Sequence, residues 1–487
     1  MEQYFSKFRD QVIGRNHIFT SPYGEQKIIY ADWVASGRLY KAIEDKITND
    51  FGPFVANTHT ETSETGTVMT KAYHHAKHII REHVNANEND VVITAGVGMT
   101  GVINKFQRML GLKACQNVGS GCNFVIKEKP VVFITHMEHH SNHTSWYETM
   151  TDVVVLPAKE DGTIDLVKMD EIVASYSGRE KMIGSFTACS NVTGIGTPYH
   201  KMAAIMHKYS GVCFIDFAAN APYDDMNMHP ENPNEALDAI MFSPHKFLGG
   251  PSSSGVLIFN QELYTNEVPD QPGGGTVEWT NAWGEYKYTD DIEAREDGGT
   301  PGFLQAIRTA LSIKLKEQMG TKNIQKREHE LFKIAFKELD KVKNLKILAS
   351  NIKERIGALS FYIKGVHYNL IVKLLNDRFG IQVRGGCACA GTYGHYLLNV
   401  THEESKRITD MIDVGNLSEK PGWVRLSVHP TMTNDELYYI CDAIKQIGEK
   451  SKEWAEDYVH VKASNEFVHK DFLNKDRYQI EDWFELN

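Results

Sequence analysis

Short apolar runs punctuate the first half of the chain: Val91–Thr94, Val131–Ile134, Val153–Leu156, Ile183–Phe186, Cys213–Asp216, Ala239–Phe242 and Gly255–Phe259. Most are four or five residues long and rich in Val, Ile and Phe. They read as buried strands of a largely parallel sheet, because a strand covered on both faces shows no polar side. Helical stretches lie between some of them. Thr197-Pro198 predicts a helix start, with Thr197 as N-cap and Pro198 at the first helical position, and a helix through Lys201–Tyr209. Alternating strands and helices imply an α/β layered domain over residues 51–320, preceded by an N-terminal segment, residues 1–50.

The pattern then changes. Ile324–Leu339 is a charged amphipathic helix, and strands are expected around Ile356–Ile363 and Val424–Val428. Thr433 and Glu436 form a capping box ahead of Leu437, Ile440, Cys441, Ile444 and Ile447, which share one helical face. Residues 321–450 therefore read as a smaller α+β domain, against which the N-terminal segment packs. The tail, residues 451–487, mixes acids, lysines and aromatics and reads as a helical extension or as a lid.

Bulk properties narrow the function classes. A chain of 487 residues is too long for one compact core. Its formal net charge of -11 argues against nucleic acid or an anionic membrane as the main partner. No apolar run approaches the ~20 residues that span a bilayer, and the polar start MEQYFSKFRD lacks a signal-peptide core. A cytoplasmic protein is expected. The seven cysteines (Cys115, Cys122, Cys189, Cys213, Cys387, Cys389 and Cys441) are odd in number and sparse, unlike a disulfide framework. Most read as small buried hydrophobes. Cys387 and Cys389 form a CxC, a weak metal signal.

Chemistry concentrates in three segments. In Phe242-Ser-Pro-His-Lys-Phe-Leu-Gly-Gly-Pro251 a lysine, Lys246, follows an apolar strand among Ser243, His245 and glycines. A lysine withdrawn from water loses basicity and becomes an amine nucleophile, and Ser243 and His245 can donate to a phosphate. Asp216 ends a strand about thirty residues earlier, at the sheet edge where ligands bind. Such a carboxylate can keep a pyridine nitrogen protonated, or simply cap its turn. Thr94-Ala-Gly-Val-Gly-Met-Thr100 joins a strand to a helix, with glycines that let backbone N–H groups approach an anion.

With these segments in this order, the chain resembles the class V aminotransferases among the fold-type I pyridoxal-phosphate (PLP) enzymes, and within them the cysteine desulfurases and selenocysteine lyases. The likeness spans about residues 28–445. It implies an α/β fold with a mostly parallel seven-stranded sheet and PLP as cofactor. Lys246 takes the Schiff-base role, Asp216 faces the pyridine nitrogen, and Ser243, His245 and Thr100 contact phosphate. His139, in Met137-Glu-His-His-Ser-Asn142, takes the ring-stacking role. Asn191 lies near the phenolic oxygen. Gly299-Thr-Pro301 resembles a family turn, and Gly273-Gly-Gly-Thr276 the segment that reaches the neighbouring subunit's cofactor, so that Thr276 and a homodimer are implied.

Arg384-Gly-Gly-Cys-Ala-Cys-Ala390 resembles the desulfurase loop in which Cys389 forms the persulfide and Cys387 is an extra. The two glycines before it make the loop look mobile. Arg425 matches the substrate-carboxylate clamp, suited by its planar fork. Asp32 and Ala35, in Tyr30–Ser36, and Asn57 and His59 resemble the N-terminal substrate-side segments. The implied reaction removes sulfur from L-cysteine through an enzyme persulfide, leaving alanine, with a sulfur-acceptor protein as a possible partner. The alternative is a class V aminotransferase, epimerase or C–S lyase that acts on another amino acid without a catalytic thiol. The sequence departs from the family at Ala219, where a glutamine is usual, with Asn220 beside it, and at Ala388, where a histidine commonly precedes the cysteine. Its Thr94–Thr100 turn is one residue longer than usual. His136, His139, His140 and His143 have permissive spacing for a metal, but their place directly after a strand fits ring stacking better, and no metal is expected.

Overall fold

A computed structural model of the chain describes residues 1–58, 60–113, 128–472 and 479–486. His59, Cys115 and Cys122 lie outside the described residues. All seven expected strands are present, each within one residue of its apolar run. They are β1 (Asp90–Ala95), β2 (Val131–Thr135), β3 (Asp152–Leu156), β4 (Met182–Thr187), β5 (Val212–Asp216), β6 (Ala239–Phe242) and β7 (Gly255–Asn260). They form one sheet in the order β1-β7-β6-β5-β4-β2-β3. β7 runs antiparallel to both neighbours, and every other pair is parallel. Alternate residues enter two separate cores: Val131, Phe133, Ile215 and Ile240 one, Val132, Ile134, Phe214 and Met241 the other. Both faces of the central strands are covered, which is why their runs are continuously apolar; β3, at the sheet edge, is the exception to the expected burial, with Val155 exposed and only Leu156 buried.

Helix α1 (Met99–Met109) follows β1 directly. Helix α2 (Tyr199–Lys208) starts differently from the expectation, with Pro198 at the N-cap position and no side-chain cap. The Thr197 hydroxyl instead donates to the Thr187 carbonyl at 2.6 Å. Thr197 is spent on stitching the segment after β4 back to that strand, so it cannot cap the helix.

Beyond the large sheet lie α3 (Thr321–Leu339), α4 (Tyr368–Phe379), α5 (Gly391–Leu398) and α6 (Asn434–Trp454). A second sheet holds β8 (Leu345–Ile347), β9 (Ala358–Ile363), β10 (Arg384–Gly386) and β11 (Trp423–Ser427) in the order β8-β9-β11-β10. The capping box forms at α6, with Glu436 N–H on Thr433 Oγ1 and Thr433 N–H on Glu436 Oε2, both at 2.9 Å. Phe5 and Phe8 share one apolar cluster with Leu331, Ile371, Val424 and Ile444. The described part of the tail is not a helical extension beyond Trp454. The helix stops at Trp454, and the chain turns into a hairpin of β12 (Tyr458–Val461) and β13 (Glu466–His469). It packs on α4 and none of its residues lines the cavity described below. Among the described residues no helix is long and apolar enough to cross a membrane.

Candidate active site

The C-terminal ends of β1, β2, β4, β5 and β6 open onto one cavity of about 200 Å³, closed from the other side by Val34-Ala35, β10 and β11. Strand ends of a parallel sheet are where backbone and side chains diverge enough to admit a ligand. Of the expected residues, Lys246, Asp216, His139, Asn191, Thr100, Ser243, His245, Cys389, Arg425 and Ala35 all line it.

Lys246 ends a short 3-10 turn directly after β6. Burial, assisted by Arg425 and Arg384, lowers its ammonium pKa to about 8, with Asp216 and Asp32 opposing. Asp216 is 4% exposed, and its Oδ1 accepts the Ala218 N–H at 2.8 Å. Burial pushes its carboxyl up to about 6 against that amide and Lys246. His139 Nδ1 accepts the Ser141 N–H at 3.1 Å, which leaves its proton on Nε2. Burial, and then Lys246, hold it neutral, with a pKa lowered to about 3. Behind it, Glu138 is buried and takes hydrogen bonds from Thr135, Asn142 and Thr187. Of the other histidines considered for a metal, His136 contacts the Gly162 carbonyl at 3.2 Å and His143 the Thr392 hydroxyl at 3.3 Å.

At the other end, α1 points its N-terminus into the cavity beside Ser243, whose Oγ accepts the Met99 N–H at 2.8 Å. The Thr100 and Ser141 hydroxyls lie 2.5 Å apart. A Cβ on Gly98 would sit 3.1 Å from Ser243 Oγ and 3.4 Å from the His245 ring, so the cradle is built around a missing side chain. Burial and Lys246 lower His245 to about 4.

Cys389 sits in a tight, hydrogen-bonded turn. The Ala390 N–H closes a turn on the Cys387 carbonyl at 3.0 Å. Both central residues have positive φ, 50° for Ala388 and 56° for Cys389, as in a type I′ turn. Neither is glycine, so the turn costs roughly 1–3 kcal/mol per residue and persists only where its surroundings hold it. They do. Asn191 Nδ2 donates to the Ala388 carbonyl at 2.7 Å, and His140 N–H donates to the Cys389 carbonyl at 2.8 Å. His140 Nε2 then accepts the Gly391 N–H at 3.0 Å. Cys387 is half-buried against the large apolar core and does not line the cavity.

Arg425 is 2% exposed. It donates to Asp32 Oδ1 at 2.7 Å and to the Asn191 carbonyl at 3.2 Å. Its register partner on β10 is Arg384, which also lines the cavity and is exposed.

Two expected residues are elsewhere. Asn57 Oδ1 accepts the Thr300 hydroxyl at 3.2 Å. Thr276 Oγ1 donates to the Gly273 carbonyl at 2.6 Å, while Gly299 N–H reaches Gly274 at 2.8 Å. These turns rest on one another outside the cavity. Sequence reasoning missed Ser141, Arg384 and Cys189 as wall residues. Cys189 was legible: it lies two residues past the end of β4, where any side chain has an even chance of facing the ligand edge. Ala219 presents its methyl to the cavity, and Asn220 does not line it.

Known proteins resemble this chain in sequence and in fold. The model of the family described as aminotransferase class-V matches residues 29–440. A probable cysteine desulfurase of Halalkalibacterium halodurans is 28% identical over 368 residues, covering 74% of this chain and 84% of that protein. A cysteine desulfurase of Synechococcus elongatus is 27% identical over 369 residues, 74% of this chain and 55% of that protein. Among solved structures, the apo cysteine desulfurase of Thermococcus onnurineus superposes with a TM-score of 0.70 at 20% identity, over 91% of this chain and 98% of that one. The cysteine desulfurase CsdA of Escherichia coli gives the same values.

Proposed function

The chain belongs to the class-V aminotransferase family, and from that premise we propose that it is a PLP-dependent cysteine desulfurase-like enzyme. The observation that carries the reading is Cys389, held by its backbone in the wall of the cavity that also contains Lys246 and Asp216. The names of its relatives support the same activity.

The donor set fits the cofactor. A weakly basic amine, a buried carboxylate, a neutral imidazole and a helix N-terminus with hydroxyls match, in turn, an aldehyde, a pyridine nitrogen, an aromatic ring and a phosphate. Asn191 Oδ1 is buried and without a hydrogen-bond partner, a polar atom that a ligand can satisfy. Lys246 would anchor the cofactor covalently, Asp216 would keep its ring nitrogen protonated, and His139 would stack on the ring. Asn191 would lie by its phenolic oxygen, and Ser243, His245 and Thr100 would hold its phosphate. When bound, PLP supplies an electron sink that stabilises negative charge on the substrate carbon.

Arg425 binds the substrate carboxylate and Ala35 bounds the substrate side of the cavity. Lys246 takes the α-proton and returns it. The Cys389 thiolate attacks the substrate sulfur. A sulfur–sulfur bond forms, the carbon–sulfur bond breaks, and its electron pair stays with the carbon fragment, which is protonated to alanine. The net change is L-cysteine plus the Cys389 thiol giving alanine plus the Cys389 persulfide.

The finer parts of the proposal follow from the family likeness: Asn57 as a substrate-binding residue, a cytoplasmic homodimer in which Thr276 serves the neighbour's cofactor site, and a protein that accepts the sulfur. The domain division proposed is residues 51–320 for the PLP-binding part and 321–450 for the smaller part, with residues 1–50 packed against it and 451–487 as an extension. The test is sulfide and alanine release from L-cysteine by wild type and Cys389→Ala. Loss of both products with an intact cofactor absorption band is expected. Full activity of the variant sinks the thiol mechanism in favour of a class V enzyme acting without it.

A further inference from the structure

The family match ends at residue 440, and the β12–β13 hairpin lies wholly beyond it. Its tip is tied to the start of α4. Asn465 is 4% exposed and has φ +58°, a left-handed conformation that asparagine tolerates better than most residues. Its Nδ2 donates to the Tyr368 hydroxyl at 2.8 Å, and its carbonyl accepts Asn369 Nδ2 at 2.6 Å. Its Oδ1 contacts His460 Nε2 at 2.9 Å, which ties the tip back to its own strand. The base of the hairpin is fixed separately, through the Tyr458 hydroxyl on Asp377 at 3.1 Å and Arg378 on Asp457 at 2.9 Å.

Tyr368 and Asn369 are the first residues of α4, and they rest directly on the backbone of the strands that carry the site. A Cβ on Gly385, in β10, would lie 2.6 Å from Asn369 Oδ1 and 3.2 Å from the Tyr368 ring. A Cβ on Gly422, just before β11, would lie 2.6 Å from that ring. The ring occupies the side-chain space of Gly422, and Asn369 and Val372, with the ring just beyond, occupy that of Gly385. β10 leads within three residues to Cys389, and β11 carries Arg425. The contact path thus runs from Asn465 to Tyr368 and Asn369, to Gly385, and on to the cysteine turn.

We propose that the C-terminal hairpin is a brace for the Cys389 turn, with Asn465 as its positioning residue acting through Tyr368. The proposal rests on the desulfurase reading only for its catalytic consequence. The position of the thiol itself is measured without it.

The experiment uses full-length holoenzyme in a Cys387→Ser background, so that label on the turn reports Cys389 alone. Iodoacetamide labelling of Cys389 is timed by mass spectrometry, beside cofactor absorption, melting temperature and kcat and KM for L-cysteine. Asn465→Gly keeps the left-handed backbone and the carbonyl but deletes the amide. Tyr368→Phe keeps the ring on the glycines but deletes the hydroxyl. Each is expected to label about fivefold faster and to lose kcat by a similar factor, the scale of one lost hydrogen bond, with the cofactor band unchanged. Asn465→Asp, which can accept from the Tyr368 hydroxyl, restores both rates. Wild-type labelling in Asn465→Gly overturns the brace, and if that variant does not fold, wild-type labelling in Tyr368→Phe does so. Faster labelling in an enzyme whose Cys389→Ala form is fully active keeps the brace and rejects the desulfurase reading instead.

Discussion

Asp32 and Arg425 face each other across the cavity wall, with a carboxylate oxygen 2.7 Å from a guanidinium nitrogen that is almost wholly withdrawn from water. The arginine proposed to bind the substrate carboxylate therefore already has an acid at its fork. Removing that acid leaves a buried cation without its counter-charge, held only by the Asn191 carbonyl. Asp32→Ala is expected to lose about 2–4 kcal/mol, toward the range for breaking a buried pair, read by urea denaturation of the apoprotein. Arg425→Lys loses the planar fork and is expected to raise KM for L-cysteine about tenfold with little change in the cofactor band. An unchanged KM would remove Arg425 from the substrate site.

Lys246 gives a pH dependence with a definite sign. Only the neutral amine can attack an aldehyde, and burial lowers the folded pKa from 10.5 to about 8. The rate at which apoprotein takes up PLP is expected to rise with pH around a midpoint near 8, followed by absorption. The same shift has a stability consequence. Between about pH 8 and 10.5 the unfolded chain holds this proton and the folded chain does not, so folding stability rises with pH in that window. A midpoint near 10.5 would show the lysine to be solvated.

His140 tests the anchoring of the cysteine turn. It accepts the Gly391 N–H through Nε2, which only the neutral ring can do, and burial lowers its pKa. His140→Ala is expected to cut kcat about tenfold, on the scale of one or two lost hydrogen bonds, while the affinity for PLP stays as in wild type. Because the folded pKa lies below the unfolded 6.5, stability from this group is lost as pH falls below about 6.5. Equal losses of activity and cofactor affinity would contradict a role confined to the turn.

Gly98 should separate the phosphate end from the chemistry. Its backbone is extended, so alanine brings no backbone strain there, only a methyl 3.1 Å from Ser243 Oγ. Gly98→Ala is expected to weaken PLP binding about tenfold, the size of a modest overpacking penalty, with kcat recovered at saturating PLP.

Much of this site is legible in the chain because parallel sheets write themselves plainly. A strand buried on both faces must be continuously apolar, so the runs other than the half-buried edge strand β3 stand out, and Asp216, His139 and Lys246 follow directly from where those runs stop. What is not legible depends on partners far away in sequence. Nothing local says that Thr197 bonds to Thr187 rather than capping a helix, or that Asp32 meets Arg425 across 393 positions. Asn57 and Thr276 match family motifs, yet their side chains are spent on Thr300 and Gly273. The hairpin at the end of the chain has short strands that bury only Tyr458 and His469, so its period carries little signal against a helix.

The carbonyls of Ala388 and Cys389 are held by Asn191 and His140, which follow strands of the large sheet, whereas the turn itself continues from β10 of the small one. The thiol is therefore a rivet between two layers rather than a passenger on either. Moving it outward means breaking the hydrogen bonds from Asn191 and His140. On the desulfurase reading, a sulfur acceptor that leaves those bonds intact is expected to bring its own nucleophile to the cavity wall at Cys389.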